Sequence, residues 1–191
     1  SVFYNAVLPI GGFQFTNDIR VTYSTTYEAA EKAKQEIGNT EPATVQANEE
    51  VSLPIEGRTS HRQVAVREIC QLIRERAQEL VRLIRIKLHE AGQSESSGVR
   101  LIFTGGASEL PGLDDMARRT ISNHVRIGVP GGIQDLPDQL RSPKFATSVG
   151  MLLWAMKDEA NAQSSVVDTT REFKPATKGG VSKILKKLLP R

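Results

Sequence analysis

Glu31 and Lys34 stand three residues apart in "AAEKAKQEIG", so one helical turn carries a carboxylate and an ammonium on the same face. Such a pair can reach a bound ribose or base, and it is equally a common surface ion pair. Paired glycines suggest a second kind of chemistry. Gly11 and Gly12 close "LPIGG", and Gly105 and Gly106 follow a strand-like run in "LIFTGGASELPGL". Glycines between a strand and a helix let a phosphate or ligand backbone approach outward-pointing N–H groups. The same pairs also serve a turn that merely needs positive φ.

The chain ends on "VSKILKKLLPR". At 100° per residue Val181, Ile184, Leu185, Leu188 and Leu189 share one arc, with Lys183, Lys186 and Lys187 opposite. An amphipathic helix with a basic face suits the surface of an anionic bilayer, each cation contributing about 1 kcal/mol, so one copy binds reversibly. The alternative is a helix that packs back on its own domain.

These residues need elements to hold them. A strand is expected in 1–10 and a short helix after Gly12. A helix over 26–37 is opened by a Thr25/Glu28 capping box and closed by a left-handed Gly38. The stretch 39–59 reads as irregular, with strand candidates at 44–47 and 51–55. A long helix over 61–90 is opened by Ser60 and Gln63, with Ile69, Leu72, Ile73, Leu80, Ile84 and Leu88 on one face. Beyond a loop at 92–98, "VRLIF" predicts a fully buried strand, a helix starts near Pro111, and "VRIGV" forms a further strand. Ser142 and Pro143 open a last helix, in which Trp154 and Met156 read as core. From 157 to 180 the sequence is polar and aperiodic, a flexible linker. Strands alternating with helices make the body α/β.

Composition limits the partners. The 191 residues carry a net charge of +3, yet 171–191 holds seven Lys or Arg against one acid, which leaves the body net negative. With aromatics at 5%, a nucleic-acid-binding body is not expected. The single cysteine, Cys70, excludes an internal disulfide framework and fits a reducing, cytoplasmic compartment. No apolar run is long enough to span a bilayer. His61, His89 and His124 are far apart and form no metal-ligand spacing. No catalytic triad or general base is assigned.

In order along the chain, "LPIGGFQFTNDI", "AEKAKQEIG", "HRQVAVREI", "TGGASELPG", "VRIGVP" and "ATSVGMLLWA" resemble motifs of the actin-like ATPase superfamily, most closely the bacterial FtsA family of cell-division proteins. That family reads "IPIGGxxxTNDI", "AExxKxxxG", "RxVxRxxL", "TGGxxxLPG", "VRIGxP" and "ATxxGLL". Where it often has "IIEPR", this chain has "LIRER" at 72–76, which implies a straighter helix.

The resemblance implies an actin-like, ribonuclease H-like second lobe over 1–156, with a small α+β outer subdomain at about 27–56. The linker at 157–180 and a membrane-targeting helix at 181–191 would follow. It implies ATP with Mg2+ as cofactor: Gly11 and Gly12 near the phosphates, Glu31 and Lys34 on the ribose, and Gly105, Gly106 and Ser108 walling the adenosine pocket. The first phosphate loop and the loop with the metal-linked Asp would precede Ser1, so half a nucleotide site, weak binding and no hydrolysis are expected of this chain. The implied role is an adaptor that anchors FtsZ, through its C-terminal peptide, to the cytoplasmic face of the membrane at the division site, with self-association into filaments. An MreB- or PilM-type filament or pilus-assembly adaptor is the alternative, and an actin-fold chaperone or sugar kinase a third reading.

Overall fold

The computed structural model describes residues 2–93 and 98–165. Helix α1 (Gly12–Tyr23) and helix α2 (Tyr27–Ile37) pack together, with Ser24 in the left-handed region between them. The cap of α2 is Thr26, whose hydroxyl accepts from the Ala29 N–H at 3.3 Å. The expected cap, Thr25, is fully buried and donates instead to the Pro54 carbonyl at 2.6 Å, so a tertiary bond takes its side chain. Gly38 is not left-handed, with φ −65°. It must be glycine because of crowding: a Cβ there would lie 2.2 Å from the Lys34 carbonyl oxygen.

Strands β1 (Glu50–Pro54) and β2 (His61–Ala65) form an antiparallel hairpin with Val51 opposite Val64. The first five residues of the expected long helix are therefore strand. The turn through Gly57 brings "HRQVA" back alongside β1, and ladder hydrogen bonds outweigh the local capping signal. Of the other strand candidate, Thr44 ends a 3-10 turn, Pro42–Thr44, and no ladder forms there.

Helix α3 (Val66–Glu90) is continuous and anchors the core. Ile69 and Ile73 are buried as expected, but Val66, Cys70, Ala77 and Val81 join them, while Leu72, Leu80, Ile84 and Leu88 are partly buried at the edge. The buried stripe is thus rotated toward small side chains, which let α1 and the helix Leu113–Thr120 come close. Phe15 and Ile19 of α1 pack into the same cluster. Glu41 fastens α3 to the next helix, accepting from Arg74 at 3.0 Å and from Arg119.

Strand β3 (Arg100–Phe103), helix α4 (Leu113–Thr120) and strand β4 (His124–Ile127) make a parallel crossover with Leu101 beside Val125. β3 is not fully buried: alternate residues are exposed, Ile102 at 54%, because only one face of this two-stranded sheet is covered among the described residues. The opening stretch is not a strand. Residues 2–10 form no ladder among the described residues, and Val2, Phe3 and Val7 are exposed.

Helix α5 (Ala146–Ser165) follows a 3-10 turn capped by Ser142, as the Ser-Pro signal predicts. The first compact unit ends within it, at Leu153. Val149 is buried, but Trp154 is 67% exposed and Met156 is exposed, so neither is a core residue. Helix continues through 157–165, where the linker was expected to start. The rest of that linker and the amphipathic segment 181–191 lie outside the described residues.

Candidate functional site

The N-terminus of α1, one face of α2 and the loop before α4 enclose a cleft of about 560 Å³. Small-molecule sites typically measure roughly 300–1,000 Å³. From α1 come Gly12, Phe13 and Phe15; from α2 come Tyr27, Glu31, Lys34 and Gln35. Gly106, Ala107, Glu109, Leu110, Pro111 and Lys144 complete the lining. The placement follows from local geometry. Residues 27, 31 and 34 share one face of α2 at helical spacing, and α1 starts at Gly12 because Gly11 is its extended N-cap.

At the head of the cleft, Lys34 Nζ donates to Glu31 Oε2 at 2.7 Å, to Thr16 Oγ1 at 3.0 Å and to the Gly12 carbonyl at 3.3 Å. The Thr16 hydroxyl also bonds Glu31 Oε2, and Gln35 Nε2 donates to Glu31 Oε1 at 2.7 Å. Burial acts to raise the Glu31 carboxyl, but the hydrogen bonds from Lys34, Thr16 and Gln35 outweigh it and hold it below the usual glutamate range. The spacing alone allowed a simple surface pair; here Lys34 is only 11% exposed and tied to a second helix.

The two glycine pairs divide. Gly12 and Gly106 line the cleft, and a Cβ on Gly12 would sit 3.7 Å from both Ala107 Cβ and Lys34 Nζ. Gly105 is a turn glycine with φ +86°, its N–H bonded to the Pro143 carbonyl. Gly11 caps α1, its N–H donating to Gln14 Oε1 at 2.8 Å, and does not line the cleft. Ser108 is buried and its hydroxyl donates to the Gly105 carbonyl at 2.7 Å, closing the loop on itself. Of the seven residues implied for a nucleotide, Gly12, Glu31, Lys34 and Gly106 therefore converge on the cleft. Val181, Lys183, Ile184, Leu185, Lys186, Lys187, Leu188 and Leu189 lie outside the described residues.

Sequence reasoning missed several lining residues. Phe13 and Tyr27 stack at 5.9 Å between centroids. Lys144 Nζ lies over the Phe145 ring at 5.2 Å, and no ion pair engages it among the described residues. Thr16, which holds the Glu31–Lys34 pair without lining the cleft, had one available signal: it sits one helical turn after Gly12. Lys144 had none, since its arrival depends on the turn after Ser142.

Among the described residues no group of three His, Cys, Asp or Glu side chains converges as a metal site, and no helix is long and apolar enough to cross a membrane.

Comparison with known proteins gives the affiliation. The family model described as cell division protein FtsA matches residues 1–150. The cell division protein FtsA of Rhizobium meliloti is 34% identical over 148 residues, covering 76% of this chain and 34% of the relative. That of Pseudomonas aeruginosa is 27% identical over 184 residues, 96% of this chain and 44% of the relative. The FtsA of Escherichia coli is 28% identical over 170 residues, 85% and 40% respectively. The chain thus spans less than half the length of these curated relatives.

Among solved structures, MreB 5 of Spiroplasma citri bound to AMPPNP superposes with a TM-score of 0.56 at 17% identity, over 83% of this chain and 47% of that one. The same protein bound to ADP gives 0.55 at 16% identity. At that identity the likeness concerns the fold, which is actin-like. With a family model matched over most of its length, the chain belongs to the FtsA family of cell-division proteins.

Proposed function

We propose that this chain is the second lobe of an actin-like, ATP-binding cell-division adaptor. The observation that carries the reading is the half-buried Glu31–Lys34 pair, tied to α1 through Thr16 and Gly12 and opening into a cleft of ligand size. Glu31 takes the ribose, Gly12 leaves room for phosphate at the start of α1, and Gly106 permits close approach of the adenosine. Mg2+ arrives with the triphosphate. The AMPPNP and ADP held by the structural neighbour support this choice of ligand.

The adaptor reading adds two contacts. The FtsZ C-terminal peptide docks on the outer subdomain, and the basic amphipathic segment 181–191 lies on anionic lipid at the cytoplasmic face of the membrane, at the septum. Reversible single-copy binding suits a protein that self-associates into filaments, where many tails act together. In this role the chain binds ATP as an adaptor and is not itself a hydrolase.

Two measurements test the reading. Equilibrium dialysis with radiolabelled ATP should show saturable binding that Lys34→Ala weakens about tenfold or more. Co-sedimentation with liposomes should require both anionic lipid and residues 181–191. If the chain neither binds ATP nor pellets with anionic vesicles, the reading is wrong.

A further inference from the structure

The hydrogen bonds around Lys34 account for all three of its N–H donors: Glu31 Oε2, Thr16 Oγ1 and the Gly12 carbonyl. The ammonium has none left to offer a ligand. Thr16, which is fully buried, lies at the centre of this arrangement. Its oxygen is within bonding distance of both Glu31 Oε2 and the Gly12 carbonyl, but a hydroxyl has one proton. The carboxylate is the stronger acceptor, and the Gly12 carbonyl is already served by Lys34, so the proton goes to Glu31.

Glu31 is consequently held at one end. Among the described residues Oε2 receives both Lys34 and Thr16, while Oε1 receives only Gln35, on the exposed side of the pair. A carboxylate oxygen with one donor keeps acceptor capacity. A ligand hydroxyl that meets this pair must therefore donate to Glu31 Oε1 and not accept from Lys34.

We propose that Thr16 is a positioning residue: by bonding both Lys34 and Glu31 Oε2 it presents Glu31 Oε1 to a sugar hydroxyl, so that the cleft selects ribose over deoxyribose. This rests on the nucleotide reading above. The competing role for Thr16 is a helical hydroxyl bonded back to the carbonyl four residues earlier, which would have no bearing on the sugar.

The test is equilibrium dialysis of radiolabelled ATP against the full chain, with unlabelled ATP, 2′-deoxy-ATP and 3′-deoxy-ATP as competitors. The unsubstituted chain should prefer ATP by about tenfold over at least one deoxy analogue, the scale of one hydrogen bond to a charged group. Thr16→Val, which keeps the shape and removes the hydroxyl, should bring that preference to within about twofold, and Thr16→Ser should keep it. A preference unchanged in Thr16→Val, one lost in Thr16→Ser, or none in the unsubstituted chain overturns the inference while leaving ATP binding intact. No ATP binding by the unsubstituted chain overturns both the inference and the nucleotide reading.

Discussion

Arg76 on α3 grips both carboxylate oxygens of Asp18 on α1, with Nε 2.6 Å from Oδ2 and Nη2 2.9 Å from Oδ1. The helix that starts at the cleft is thereby fastened, two turns on, to the 25-residue helix α3. Bidentate geometry is the strong form of a guanidinium–carboxylate contact, but the pair is about one-quarter exposed, which reduces its worth through solvent screening. Asp18→Asn should cost about 1 kcal/mol in urea unfolding, and the deficit should shrink at high salt. A loss that ignores salt would mean that packing at Asp18, not charge, holds α1.

Acid should loosen the cleft through Glu31. Its carboxyl titrates below the usual glutamate range when folded and within that range when unfolded, so its stabilisation is fully present above the unfolded value. That stabilisation is lost as pH falls through the lower folded value. Between pH 7 and 3, Glu31→Gln should therefore flatten the decline of stability relative to the unsubstituted chain. Parallel declines in thermal melts would remove Glu31 from the acid response.

Gly38→Ala should destabilise the protein by about 2 kcal/mol or more, since the new Cβ meets backbone at 2.2 Å and Ile73 Cδ1 at 3.0 Å. Gly150→Ala is the control: a Cβ there meets nothing within 4 Å, and alanine within α5 should stabilise by about 0.5–1 kcal/mol. Differential scanning calorimetry of the two variants should give melting shifts of opposite sign.

Reversing the charge of Lys144 should weaken ATP binding by about tenfold without unfolding the chain, because its ammonium lines the cleft outside any described ion pair. Dialysis of Lys144→Glu beside a thermal melt separates the two effects. Equal affinity in both chains would mean that the ligand lies away from the 142–145 turn.

Three local signals agree with the structure. Ser142 followed by proline capped a turn leading into a helix, the apolar period of α3 put Ile69 and Ile73 in the core, and the Glu-x-x-Lys spacing put both charges on one face. Each depends on residues within a turn or two of each other. The family motifs were equally legible, because they are patterns in the residue order itself.

The sequence by itself determined the apolar period of α3, the family and the concentration of basic charge in the last twenty-one residues. Tertiary structure decided whatever depended on a distant partner. Residues 61–65 became strand because β1 lay alongside, and Thr25 gave up its capping role for Pro54. Ser108 turned into its own loop, and Lys144 reached a cleft whose other wall lies more than a hundred residues earlier. A helix period or a cap is governed by nearest neighbours along the chain. Strand pairing, burial and convergence on a cleft are governed by neighbours in space, and where the two compete for one side chain the buried hydrogen bond prevails, since a buried polar group left without a partner costs more than a lost cap.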